Sequence, residues 1–266
     1  MNNLLGTEWL KIKRYSTFWV LTGLFFLLLP LWNYMISKGI IQMGGGGRGG
    51  PNFIVTSYSF PEVWGSLGFW GSIFIMFLSV LVIIITTNEY TFRTNRQNVI
   101  DGWKRMQFFH GKVLLVVIFS VIATVYLFLW GAIFGRINSG SFFYLFSEFQ
   151  QVGYFFILSL DYMGFALLLA VLIRRSGLAI GLFFFYSMII ENILRFTIQH
   201  YASKPYGNLL MLQASDELLP SPIAKLMGAM TGAAPAISMT TYALVACGWC
   251  LVYYFICRAL LLRKDW

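Results

Sequence analysis

Long apolar runs alternate with short polar stretches along this chain, and the run lengths predict helices that cross a bilayer. Glu62 and Glu89 bracket 26 residues without a charge, and Val113 to Gly135 is another charge-free run of 23. A helix needs about 20 apolar residues to span the hydrocarbon core. Along the whole chain the pattern predicts six spans, at about 17–37, 66–87, 113–135, 150–173, 176–195 and 237–260. Pro30 interrupts the first, which neighbouring helices can accommodate in a membrane. The fold class expected is all-α: a polytopic membrane protein with six transmembrane helices.

Composition sharpens this picture. The 266 residues are 58% hydrophobic and 11% charged, with mean hydropathy +0.72, which excludes a soluble globular domain. Nine Trp and fourteen Tyr suit aromatic belts at two interfaces. So many residues lie in spans that a single membrane domain over 1–266 is expected, with no room for a soluble domain of ordinary size. The first run begins late, is long and lacks a small-residue cleavage site, so it reads as a retained anchor. Cys247, Cys250 and Cys257 all fall in the last run. Cys247-Gly248-Trp249-Cys250 matches a C-x-x-C spacing only formally, because redox chemistry needs an accessible thiolate; small packing residues are expected. The glycine-rich stretch 44–50 lacks the Lys-Ser/Thr of a phosphate-binding loop and reads as a slack linker.

Charge orients the bundle. The net charge of +9 does not signal a nucleic-acid partner, because the basic residues gather where a membrane topology needs them. Lys11, Lys13 and Arg14, the five cations of the 88–112 connector, Arg174 and Arg175, and Arg258, Arg263 and Lys264 share one side; Lys38, Arg48, Arg136, Arg195, Lys204 and Lys225 share the other. The positive-inside rule therefore predicts that both termini and the connector are cytoplasmic. The outer loops expected are 38–65, 136–149 and 196–236, the last being the largest element outside the membrane.

Two polar segments carry a candidate function. Residues 7–16 mix apolar and basic side chains and predict an interfacial elbow helix, with Trp9 and Ile12 inward and Lys11, Lys13 and Arg14 toward headgroups. In the connector, Val99, Ile100, Trp103 and Met106 fall on one helical face, with Asn95, Arg96, Gln97, Asp101, Lys104 and Arg105 around the rest. That is an amphipathic helix along the inner surface, suited to headgroups or to docking a partner that moves the spans.

These segments resemble the type-2 family of ATP-binding-cassette (ABC) exporter permeases. In that family an acidic residue closes the second span, followed by a Gly/Thr-rich turn, a short coupling helix, a Pro/Gly-x-Ser-Arg step and a Lys that opens the third span. Glu89, Arg93-Thr94, Gly102-Trp103-Lys104-Arg105 and Lys112 occupy those places, with Gly102 where Pro is common and Lys104 where Ser is common. The elbow and the long fifth loop also resemble the family. The resemblance implies an ATPase-coupling interface at Glu89, Arg93, Arg96, Asp101, Trp103, Lys104 and Arg105. It further implies a second permease copy or a paralogous permease, and a bacterial inner membrane. This chain has no G-x-x-x-x-G-K-[ST], so no cofactor is expected on it; ATP and Mg would belong to a separate P-loop ATPase subunit.

Two acids inside the spans are candidates for a translocation path. Asp161 lies halfway along span four, where a charge costs roughly 2.5–3.5 kcal/mol on insertion scales, so it must be protonated, paired or turned to a polar interior. Glu191 lies four residues before Arg195, a spacing that permits an ion pair. His110 and His200 read as interfacial residues. Two rival functions remain open on sequence. Ile190-Glu191-Asn192-Ile193-Leu194-Arg195 faintly resembles a motif of CAAX-type membrane proteases, though Ile190 replaces its first Glu. A self-contained secondary transporter would rest on Asp161 alone.

Overall fold

A computed structural model of the protein describes Gly6, Leu10, Ile12, Lys13 and residues 15–40, 58–92, 105–201, 205–221 and 237–263. Among these residues all regular structure is helical. The principal helices are α1 (Ser16–Ser37), α2 (Val63–Thr91), α3 (Arg105–Ser139) and α4 (Gln150–Ile173). Then come α5 (Ser176–Phe185), a π-helical turn (Tyr186–Ile190) and α6 (Glu191–Tyr201), which together form one long segment. A 3₁₀ turn (Tyr206–Leu209), the four-residue α7 (Gln213–Asp216) and α8 (Met239–Arg263) complete the chain. Six segments are long and apolar enough to cross a membrane: Ser16–Ser37, Val63–Thr91, Met106–Ser139, Gln150–Ile173, Ser176–Tyr201 and Met239–Leu262. Each answers to one of the expected spans.

The largest boundary difference is informative. α3 begins at Arg105, not near 113, so Arg105 and Met106, expected on the connector helix, belong to the first turn of the third span. A polar run does not end a helix if its charges find partners. Lys112, which closed the polar stretch in the sequence, is buried inside α3 against Glu89 of α2. The fifth span likewise runs on to Tyr201, past the expected end at 195. Around the expected elbow, Gly6, Leu10, Ile12 and Lys13 are helical, with Ile12 buried and Lys13 exposed. Trp9, Lys11 and Arg14 lie outside the described residues.

Two ends of the bundle can be distinguished by contacts. At the connector end, Glu89 meets Lys112, His110 meets Tyr254, and Arg174 lies over the Tyr90 ring. At the loop end, Tyr58 donates to Asn33 Oδ1 at 2.8 Å, and the Phe60 backbone N–H to Ser139 Oγ at 2.7 Å. α2 and α4 bury most of their residues and form the centre; α1 and α3 pack on α2, while α3 and α8 pack on α4.

Several hydroxyls inside these apolar helices are satisfied within their own helix, which suits a bilayer. The hydroxyls of Ser79, Thr87, Ser120 and Ser159 donate to the carbonyl four residues earlier. α1 runs continuously through Pro30, whose missing N–H leaves the Phe26 carbonyl without its helical donor. The Tyr126 hydroxyl of α3 supplies one instead.

Close approach of α2 and α3 depends on two glycines. Gly131 and Gly135, one turn apart on α3, lie directly beneath the Trp64 and Phe60 rings. A methyl group at Gly131 would fall inside the Trp64 ring contact. Trp64 is fully buried, stacks on Phe128 at 5.7 Å and donates from Nε1 to the Leu145 carbonyl at 3.1 Å, so it has nowhere to move. Gly131→Ala should therefore destabilise the bundle by about 1–3 kcal/mol, the usual cost of overpacking. Gly153→Ala, which meets nothing within 4 Å, is the control. Thermal unfolding in detergent reads the difference; equal midpoints for the two variants would refute the packing argument.

Candidate functional site

The connector end is built around a buried ion pair. Glu89, 6% exposed in the last turn of α2, accepts from Lys112 Nζ of α3, 2% exposed, at 2.5 Å. Lys112 also lies over the Phe108 ring at 5.5 Å, and Phe108 packs edge-on against Tyr90. Arg174, in the left-handed conformation that ends α4, places its guanidinium 5.0 Å from the Tyr90 ring centroid. The helices that enter and leave the connector are thus clamped to each other and to the α4–α5 turn. Of the expected coupling residues, Arg93, Arg96, Asp101, Trp103 and Lys104 lie outside the described residues. Glu89 is described, buried in the last turn of α2 and paired with Lys112.

At the loop end the structure departs from the sequence reading. Residues 196–236 were expected wholly outside the membrane, yet 205–221 folds back among the helices. Asp216 Oδ1 and Oδ2 accept from the Tyr162 hydroxyl at 2.9 and 3.1 Å. Tyr162 lies twelve residues into α4, about 18 Å along the helix at 1.5 Å per residue. Irregular backbone is tolerated at such depth only where protein buries it or a cavity adjoins it. Leu212, Ala214, Leu218 and Leu219 of the segment are all buried, supplying the apolar contact that holds it in. Gly207 sits against the Arg195 backbone, where a side chain would not fit.

This segment takes the partners that sequence spacing had assigned elsewhere. Glu191 does not pair with Arg195. Its Oε1 accepts the backbone N–H groups of Leu212 (2.7 Å) and Gln213 (3.0 Å), which begin the short α7. Arg195 instead donates to Glu217 Oε1 at 2.7 Å and to Asn208 Oδ1 at 2.9 Å. Two amides without helical partners compete for the carboxylate more strongly than a guanidinium that has Glu217 at hand. The exposed His200 ends α6, and with both Glu191 and Arg195 engaged this way the faint protease-like motif gains no support.

Asp161 is fully buried on α4. Its Oδ1 lies 3.9 Å from Cys250 Sγ on α8, a weak thiol contact, and Ser215 and Tyr253 are among its polar neighbours. Cys247, Cys250 and Cys257 are all free thiols.

Next to this network lies a cavity of about 440 Å³. One wall is the α2 face of Phe69, Ser72, Ile73 and Met76; the π turn and α6 contribute Met188, Asn192 and Arg195; Tyr162, Gln213, Asp216 and Glu217 form the polar end. Asp161 and Glu191 do not line it; they adjoin it through Tyr162 and Gln213. Burial pushes the Asp216 carboxyl up to about 7; the Tyr162 hydrogen bond and Arg195 act against the rise, and Glu191 and Glu217 add to it. Sequence reading missed Tyr162, Asp216 and Glu217. The one available signal was the apolar content of 209–219, LLMLQASDELL, which is high for a solvated loop.

Six helical segments long and apolar enough to cross a membrane, found among the described residues, define a multi-pass membrane protein. Residues 4–190 match the model of the ABC-2 family transporter proteins, and the chain belongs to that family. The Asp216 segment and α8 lie beyond the matched residues. No curated protein matches the sequence.

Proposed function

We propose that this chain is the membrane-spanning permease subunit of an ATP-driven exporter, coupled through its connector to a separate P-loop ATPase that carries ATP and Mg. It works as a dimer, with a second copy or a paralogous permease, in a bacterial inner membrane with both termini cytoplasmic. The observation that carries the reading, in a chain of this family, is the clamp at the connector end. The buried Glu89–Lys112 pair ties the last turn of α2 to α3 on either side of the connector. A force applied to 93–104 is then delivered to two spans together, and through Arg174 and Tyr90 to the α4–α5 turn. Coupling requires two conformations that nucleotide binding favours differently, and a rigid clamp passes that difference into the bundle.

The docking surface is testable by charge reversal. Arg96→Glu with Arg105→Glu should leave membrane insertion intact and abolish recovery of the ATPase encoded or expressed with this chain. Tandem purification of the complex reads the outcome. Undiminished recovery would remove the docking assignment, and a wild-type chain that transports without any ATPase would return the function to a secondary transporter built on Asp161.

A further inference from the structure

The charge balance of the loop-end cavity is uneven. Arg195 and Glu217 neutralise each other at 2.7 Å, and the Glu191 oxygen that faces the folded-back segment is spent on two backbone amides. Among the described residues the hydrogen-bond donor to Asp216 is neutral, the Tyr162 hydroxyl, and Arg195 acts on it only at a distance, so its charge is held in place without an ion pair. It lines a cavity whose apolar side includes Phe69, Ile73, Met76 and Met188. We propose that this cavity is a binding site for an amphipathic organic ammonium ion, with Asp216 as the counter-ion, Tyr162 positioning that carboxylate, and the α2 face receiving the apolar body.

The chemistry discriminates among occupants. An anion would find the guanidinium of Arg195 already engaged by Glu217 and Asn208. A bare metal ion needs several oxygens converging at short range, whereas the space is about 440 Å³ and half its lining is apolar. That volume falls among ordinary small-molecule sites, which pair apolar walls with a few oriented polar groups. A wholly neutral ligand would leave the Asp216 charge desolvated without return.

Binding should depend on pH through Asp216, because only its ionised form is a counter-ion. The charged and titratable groups around it are Asp161 and Tyr162 on α4, Glu191 and Arg195 on α6, and Glu217 beside it; Tyr242 of α8 adjoins Arg195 and Glu217. The α2 wall adds none. With the Asp216 carboxyl at about 7, affinity for a permanent cation should be high at pH 8 and fall as protonation removes the charge. Well below pH 7 the limiting fall is about tenfold per pH unit.

This site goes beyond the coupling role and is tested on the permease chain alone, so its failure is separable from failure of ATPase docking. The purified full chain in detergent is titrated with a dansyl-labelled alkyltrimethylammonium and with its uncharged 3,3-dimethylbutyl isostere, read by dansyl fluorescence. The cation should bind at least tenfold more tightly than the isostere at pH 8, and that preference should shrink at pH 6. Asp216→Asn should abolish the preference, and Ile73→Trp, which fills the apolar end, should weaken both probes. Equal binding of the two probes at pH 8, or an undiminished preference in a monodisperse Asp216→Asn protein, would overturn the proposal. If that variant does not fold, the wild-type charge preference and its pH dependence decide alone.

Discussion

Lys112→Met should be among the more damaging single substitutions in this protein, costing up to about 3–5 kcal/mol, because it takes from the buried Glu89 its cation on α3. Glu89 and Lys112 are 6% and 2% exposed, and their 2.5 Å contact joins α2 to α3 where the connector begins. Glu89→Gln should do comparable harm from the other side, removing the carboxylate that the Lys112 ammonium meets. The informative variant is the double, Glu89→Gln with Lys112→Met, which removes both charges. A buried pair replaced by uncharged groups of similar size is often neutral or stabilising, so the double variant should be more stable than either single one. Its coupling should not recover to the same degree, since the direct tie between the helices is gone. Thermal unfolding in detergent tests the first statement, and nucleotide-stimulated transport with the partner ATPase tests the second. A double variant no more stable than the worse single one would show that the two charges do not act as a pair.

Glu191→Ala should unseat the folded-back segment. One carboxylate oxygen receives two backbone N–H groups, at 2.7 and 3.0 Å, and hydrogen bonds to a charged group are each worth about 1.5–3 kcal/mol. Removing the acceptor leaves both amides buried without a partner, for a total of about 3–5 kcal/mol. Glu191→Gln keeps an acceptor oxygen and should lose clearly less. The segment's exposure can be followed with a cysteine at Ser221, on the cavity margin, in a background lacking the native thiols. Its labelling by a membrane-impermeant maleimide should accelerate in the Ala variant and change little in the Gln variant. A double-mutant cycle between positions 191 and 195 should show weak coupling, and one between 195 and 217 should show strong coupling. The reverse result would restore the within-helix pair that spacing alone suggests.

These two cases show how far sequence reading reaches. The Glu89 and Lys112 positions were legible as landmarks, because an acid closes one apolar run and a base opens the next, as the family pattern has them. That they touch was not legible, since 23 residues separate them and the connecting chain could have held them apart. For Glu191 and Arg195 the reading was incomplete. Spacing of four places two side chains on one helical face, but it permits an ion pair without selecting it. The partners that won, the Leu212 and Gln213 amides and Glu217, come from a segment with no sequence periodicity to betray its path. Gly131 and Gly135 were equally silent, because their role depends on which rings cross them.

What the sequence determined by itself was the bilayer-scale architecture: six helices long enough to cross a membrane, an all-helical fold, and the landmarks of the family. Those follow from local rules, since a span's length, its apolar content and its internal hydrogen bonds are properties of one contiguous stretch. Only the tertiary structure decided which buried charges pair, that 205–221 enters the bundle, and that a cavity lined by the Asp216 carboxylate lies beside it. Each of those is a competition among groups distant in sequence for the same few partners. In a medium with little water to satisfy the losers, the outcome is set by which groups the packing of apolar surfaces brings within reach.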